Sequence, residues 1–313
     1  MVREFDVETG SHQTASSANL KVPGFSALSN FSVGTADWFA YSLSVMKKRG
    51  RFDLVVALLA LSLGVTASIA IAGPASESAT SATILVYHRF GPVAADSMTV
   101  TTPVFASQLR YLHDNGYTVV PLGDVVNFAA GHGELPPRAV AITADDGHRT
   151  VFSYMKPLVE HYRIPVTLFI YPSAISNAPY AMTWDQLAEL KAGGLFSVES
   201  HTYWHPNFHI EKRRLSADDY RKFVDSQLNK SRQVLERRLG GPVTMLSWPF
   251  GIYDDELIAA AAKSGYVAAF SIERRKVSRG DNLMALPRFI VTNGDVGQRF
   301  QSLLPARTLM TGR

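Results

Sequence analysis

From Thr83 onward the chain alternates short apolar runs with stretches of helical period, and no other feature constrains its fold as strongly. Strands separated by helices return in the same direction, so they pair in parallel rather than as hairpins. Thr83–Tyr87, Thr118–Pro121, Ala139–Thr143, Val166–Tyr171, Phe196–Ser200, Thr244–Trp248, Val267–Ile272 and Leu286–Val291 read as strands. Helices are expected from Thr102 to Asn115, with Phe105, Leu109 and Leu112 on one face, and over Leu122–Ala130, Val151–Tyr162, Trp184–Ala192, Asp255–Ser264 and Val296–Leu304. Ser216-Ala217-Asp218-Asp219 resembles a capping box and opens a long helix that Gly240-Gly241-Pro242 ends. The first strand runs into Tyr87-His88-Arg89-Phe90, nothing like the Gly-rich turn of an open nucleotide-binding sheet. The expected fold is therefore α/β, a distorted barrel of the (β/α)7 type, slightly short of the usual eight strands.

Composition sets outer limits. A chain of 313 residues, 46% hydrophobic and 19% charged, is ordinary globular material. The net charge of +4 is mild, and no Lys/Arg block is interleaved with aromatics as a nucleic-acid surface requires. There are no cysteines, which excludes disulfides, thiolate metal sites and cysteine nucleophiles.

Residues 54–72 form a long uncharged apolar run preceded by Met46-Lys47-Lys48-Arg49-Gly50-Arg51 and ending in Ala70-Ile71-Ala72 before Gly73. Basic segment, apolar segment and small-residue end, in that order, are the parts of a secretory signal. An uncleaved N-terminal anchor is the alternative, since the run approaches the length that spans a bilayer. The expected organisation is 1–45 without regular structure or an over-extended start, 46–72 signal or anchor, 73–82 linker and 83–313 catalytic domain. Membrane contact is expected only through 46–72, and the domain is expected to be exported to the periplasm, cell envelope or exterior.

Thr143-Ala144-Asp145-Asp146-Gly147 places two adjacent carboxylates at the end of an apolar strand. Neighbouring residues of a strand point to opposite faces, so one aspartate can hold a metal while the other stands beside it as a base. His201-Thr202-Tyr203-Trp204-His205 supplies two imidazoles after another strand. One carboxylate and two neutral imidazoles leave coordination positions open for water and substrate, the pattern of a catalytic metal site. His113, His132 and His161 read as solvated surface.

These two stretches resemble the first two motifs of the NodB-type polysaccharide deacetylases, carbohydrate esterase family four. The resemblance implies that Asp145 is the catalytic base and that Asp146, His201 and His205 hold one divalent metal, Zn2+ first, with Co2+ or Ni2+ as alternatives. Ser247-Trp248-Pro249-Phe250-Gly251 resembles the third motif, which lines the groove, and makes Tyr203, Trp248, Pro249 and Phe250 candidate substrate contacts. Tyr87-His88-Arg89-Phe90 and Leu286-Pro287-Arg288-Phe289 resemble segments of the exported branch that acts on poly-N-acetylglucosamine. The sequence departs from the family pattern in three places. Ala144 stands where an aromatic is usual, the third motif lacks its arginine, and no histidine occupies an evident fifth motif. Arg288 is the candidate to brace Asp145 in place of that arginine, and His88 or protonated Asp145 the candidate proton donor.

The implied activity is metal-assisted removal of N-acetyl groups from an N-acetylglucosamine polymer. Two alternatives share the residues: a silent glycan-binding domain and an O-acetyl esterase. A 2-His-1-carboxylate iron oxygenase uses the same ligands but normally sits in a β-sandwich. A glycoside hydrolase needs its two carboxylates several ångströms apart across one sugar bond, which adjacent aspartates do not supply.

Overall fold

A computed structural model describes residues 79–305. The expectations for residues 1–45, for the signal or anchor at 46–72 and for the linker as far as residue 78 fall outside the described residues. Among the described residues no helix is long and apolar enough to cross a membrane.

Six strands lie side by side in parallel. They are β1 (Ser81–Tyr87), β5 (Ala139–Asp145), β6 (Val166–Ile170), β7 (Phe196–Ser200), β8 (Met245–Ser247) and β9 (Ala268–Phe270). On the other edge of β1 a short parallel strand, β11 (Phe289–Ile290), pairs Leu85 with Phe289. Just before it Leu286 bridges to β9, its N–H donating to the Ala269 carbonyl and its own carbonyl accepting from the Ser271 N–H, both at 2.8 Å. Pairing therefore runs around from β9 through residues 286–290 to β1, the curled, distorted barrel that the strand–helix alternation implies. The closing strand is shorter than the expected Leu286–Val291 because Pro287 has no N–H to give to a ladder.

Three short strands escape the sequence pattern. β2 (Arg89–Gly91) and β3 (Thr99–Thr101) pair with each other, and β10 (Val277–Ser278) runs antiparallel to the start of β1. The expected strand at Thr118–Pro121 contracts to β4 (Thr118–Val119), again short of a proline, and pairs with the beginning of β5.

The helices α1 (Thr102–Asp114), α2 (Leu122–Ala129), α4 (Trp184–Ala192), α6 (Ala217–Leu239), α7 (Asp255–Lys263) and α8 (Gln298–Leu303) fall where expected. The segment near Val151–Tyr162 divides into a π turn over Val151–Met155 and α3 (Lys156–Tyr162), with Pro157 at the junction. α5 (Phe208–Arg214) was not expected. Its signals are the Asn207 side chain, which accepts from the Ile210 N–H, and the basic run Lys212-Arg213-Arg214 in its last turn.

All seven residues of β5 are buried, as in a strand covered on both faces. Alternate residues enter different apolar clusters: Ala139 and Ala141 pack with Ile84, Phe169 and Phe270, whereas Val140 and Ile142 pack with Leu85, Leu168 and the helices. The same parity carries Thr143 and Asp145 to the Phe169/Phe270 side, so the first aspartate faces the barrel interior.

Between β7 and β8 only Ser200 and Leu246 pair, and buried Glu199 fills the gap. Its Oε2 accepts the N–H groups of Thr244 and Met245, each at 2.8 Å. Burial raises the Glu199 pKa to about 7, against the pull of those two bonds. Glu199→Ala should therefore cost roughly 2–4 kcal/mol, two buried donors being stranded, while Glu199→Gln should retain most of the stability. The raised folded pKa means that the native state holds the proton more tightly, so stability should fall as pH rises from about 4.5 to 7. Urea midpoints across that range check both points, since the glutamine variant should lack the fall.

Candidate metal and catalytic site

β5 ends on Asp145, and the chain then turns through two left-handed residues, Asp146 (φ 75°) and Gly147 (φ 74°). After β7, Thr202 (φ 63°) and His205 (φ 62°) adopt the same rare conformation, as does Phe250 (φ 57°) after β8. Four of the seven non-glycine residues with positive φ among the described residues thus stand at one place. Such conformations persist where surrounding bonds over-determine them. Here Ser200 Oγ accepts the Thr202 N–H at 3.2 Å and meets Ser231 Oγ at 2.8 Å. Thr202 Oγ1 in turn accepts the His205 N–H at 3.2 Å. The His201 N–H donates to the Ile170 carbonyl at 2.8 Å.

These turns bring Asp146, His201 and His205 together, with one donor atom from each within 4.8 Å of the others. Nε2 of His201 and Nε2 of His205 each lie 3.7 Å from Oδ1 of Asp146. That spacing suits one ion with bonds of about 2.0–2.2 Å. The hydrogen bonding fits as well. The Ser247 carbonyl can only accept, so His201 Nδ1, 2.7 Å away, carries the proton and leaves the Nε2 lone pair for a metal. Burial and neighbouring His201 push the His205 pKa down to about 4, keeping its imidazole neutral.

Asp145 stands beside this group, 2% exposed. The Arg288 guanidinium, fully buried, grips it bidentately: Nη1 to Oδ1 at 2.9 Å and Nη2 to Oδ2 at 2.8 Å. Arg288 also donates to Thr143 Oγ1 and to the Ser271 carbonyl and lies over the rings of Phe169 and Phe270. Ser247 donates its hydroxyl to Asp145 Oδ2 at 2.8 Å and accepts from Arg288 Nη2 at 2.7 Å. Burial by itself would raise the Asp145 pKa. The charge and hydrogen bonds of the Arg288 guanidinium outweigh it and hold the carboxyl well below the usual range. His88 lies close enough to feel both aspartates. Burial nevertheless lowers its pKa, and its Nδ1 has no hydrogen-bond partner.

The expected groove contacts divide. Trp248 is 1% exposed, with Nε1–H donating to the Met284 carbonyl at 2.8 Å, and Pro249 is buried beside it. Neither offers a face to a sugar, so their reading as substrate contacts is corrected: they form the floor beneath the site. Phe250, 56% exposed, sets its ring 4.6 Å from that of His205, and half-buried Tyr203 carries the Lys230 ammonium 3.9 Å above its ring. Trp204 is exposed and packs on Phe223. Sequence reasoning missed Ser247, which touches Asp145 and Arg288 through its hydroxyl and His201 through its carbonyl. Its signal was a polar residue at the end of an apolar strand. Tyr171 and His148 were missed too.

The fold and site define a hydrolase-like α/β barrel, and known structures share the fold. The Streptococcus pyogenes deacetylase PplD, solved in complex with acetate, superposes with a TM-score of 0.64 at 20% identity over 74% of this chain and all of that one. IcaB from Ammonifex degensii gives a TM-score of 0.64 at 23% identity, covering 72% of this chain and 97% of that one. Residues 132–269, which hold both aspartates and both histidines, match the polysaccharide deacetylase family model. A poly-β-1,6-N-acetyl-D-glucosamine N-deacetylase of Staphylococcus epidermidis is 26% identical over 205 residues, 62% of this chain and 68% of that protein. Residues 132–269 thus carry a polysaccharide deacetylase domain, and relatives similar to the chain are named as N-deacetylases.

Removing Arg288 would strand a buried carboxylate. Arg288→Met should cost about 3–5 kcal/mol, and Arg288→Lys should recover only part of it because an ammonium cannot form the planar fork. Denaturant titrations of the two variants check this.

Proposed function

We propose that the protein is a metal-dependent N-deacetylase of an exported N-acetylglucosamine polymer, with Asp145 as base and Asp146, His201 and His205 as ligands of one divalent ion. The reading rests above all on two adjacent aspartates in different surroundings, Asp145 clamped by Arg288 and Asp146 turned toward two imidazoles. The nitrogen and oxygen donors favour Zn2+, with Co2+ and Ni2+ as alternatives. Such an ion supplies Lewis acidity toward the acetyl carbonyl and toward water.

The chain's own groups do the rest. Asp145, kept ionised by Arg288, accepts a proton from the attacking water, and Ser247 holds the carboxylate in orientation. The same grip makes Asp145 a weak base that gives its proton up readily. Amide cleavage consumes one water and yields acetate and an amine, which needs a proton to leave. The proton on Asp145 is the nearest supply; burial keeps His88 neutral and suits it to orient the departing nitrogen. The N–H of Tyr203 is assigned to the developing oxyanion, and Phe250 and Tyr203 to contacts with the sugar chain. The reading of residues 46–72 as a signal or anchor supports a substrate among envelope and extracellular polymers.

Asp145→Asn should retain metal but lose about 10²–10⁴ in turnover, since an amide cannot take the proton. Asp146→Ala, His201→Ala and His205→Ala should lose metal and activity together. Metal content by mass spectrometry, with acetate release from poly-N-acetylglucosamine, chitin oligomers, peptidoglycan and acetylxylan, with and without chelator, checks the assignment. Acetate from acetylxylan alone would make it an O-acetyl esterase. Equal metal loss in Asp145→Asn and Asp146→Asn would overturn the division of roles.

A further inference from the structure

Beside the ligand group opens a cavity of about 390 Å³ lined by Arg89, Asp146, His148, Tyr171 and Tyr180. Asp146 is the one residue it shares with the ligand set, so the cavity lies to one side of the reacting position. Tyr171 forms the partition. Its ring is 5.5 Å from that of His205, and its hydroxyl meets the Tyr180 hydroxyl at 2.9 Å.

The polar groups of this wall are donors. Thr150 sends both its N–H (3.3 Å) and its hydroxyl (2.7 Å) to His148 Nδ1, the hydroxyl oxygen itself accepting from the Phe90 N–H. Nδ1 of His148 is therefore the acceptor, and the ring's proton sits on Nε2. Arg89 is ion-paired with Asp96, but its Nε–H has no partner. The Tyr180 ring, 43% exposed, lies nearly parallel to that of His148, 12° between planes and 6.1 Å between centroids. The only carboxylate on the wall, Asp146, belongs to the ligand set. A donor wall with an aromatic face fits a ligand that brings acceptors and an apolar ring surface.

We propose that this cavity binds the N-acetylated sugar adjacent to the one being deacetylated, its acetamido carbonyl taken by Arg89 and His148 and its ring by Tyr180. The enzyme consequently requires a neighbour that is still acetylated. The inference rests on the N-deacetylase reading above. A deacetylated neighbour carries an ammonium group, which adds donors and positive charge to a donor-lined cavity beside a guanidinium and leaves the wall donors unpaired. Sites built to hydrogen-bond a substrate group discriminate strongly against ligands that lack it. Because the cavity reads one side only, a sugar whose neighbour on that side is already an amine should keep its acetyl group, while the sugar on the other flank of that amine should lose it.

The test uses the β-1,6-linked N-acetylglucosamine hexamer and the single sugar as substrates, with partial products sequenced by mass spectrometry. Given a hexamer that carries one internal amine, wild type should spare the acetyl group on one flank of that amine and remove it on the other. Tyr180→Ala and Arg89→Met should each raise the hexamer KM about tenfold more than that of the single sugar and should remove acetyl groups on both flanks of the amine. Tyr180 is exposed, so its variant serves even where loss of the Arg89–Asp96 pair prevents folding. Acetyl loss on both flanks of the amine with wild type, or equal KM effects on hexamer and single sugar, would overturn the subsite while leaving the N-deacetylase reading intact. No acetate from any N-acetylated glycan would overturn that reading itself, and the subsite with it.

Discussion

The buried pair between Arg288 and Asp145 ties the barrel together where its backbone pairing is thinnest. Around β9, Leu286 and β11 the ladder is reduced to one bridge and a two-residue strand, because Pro287 interrupts it. Arg288, the next residue, reaches across to β5, to Ser247 at the end of β8 and to the Ser271 carbonyl after β9. One guanidinium thus links three strands of the ring to the closing segment. A pair sealed from water is sustained only when its remaining donors are also met, and Thr143, Ser247 and Ser271 meet them. The contact that closes the fold is also the one that holds Asp145 ionised, so barrel closure and the charge at the barrel mouth are coupled at this point.

Around that pair the mouth of the barrel is held in conformations that non-glycine residues seldom adopt. Asp146, Thr202, His205 and Phe250 are all left-handed. Each such residue costs of order 1–3 kcal/mol, and at Thr202 and His205 the bonds to the Ser200 and Thr202 hydroxyls offset it. The result is a ligand group already assembled, with His201 fixed in tautomer by the Ser247 carbonyl and His205 kept neutral. Ser247 joins both halves at once, touching His201 through its carbonyl and Asp145 through its hydroxyl.

The aromatic residues near the site sort by whether their polar atoms find partners inside. Trp248 satisfies its indole N–H on Met284 and becomes core. Tyr171 and Tyr180 pair their hydroxyls at the rim of the cavity, and Phe250, with no polar atom to satisfy, lies open against His205. Aromatic content near a motif is therefore a weak guide to sugar contact, because burial decides which rings have a free face.

Much of the fold and site was legible in the sequence, for local reasons. Strand–helix alternation implied a parallel barrel, and a strand running straight into Asp145-Asp146-Gly147 implied carboxylates at its mouth, since period-2 parity and a glycine turn act within a few residues. The two histidines after Ser200 were legible in the same way. The absence of an arginine in the third motif pointed to a distant substitute, and Arg288 was the candidate. Tertiary structure alone decided the rest. That Arg288 meets Asp145 depends on barrel closure across a sequence separation of 143. That Trp248 is buried depends on Met284 and Phe208 arriving from other parts of the chain. The cavity beside Asp146 exists because Arg89 after β1, His148 after β5 and Tyr171 and Tyr180 after β6 converge there. Local patterns fix which residues face a strand's end; which strands' ends come together is a property of long-range packing, for which no short stretch of sequence carries a signal.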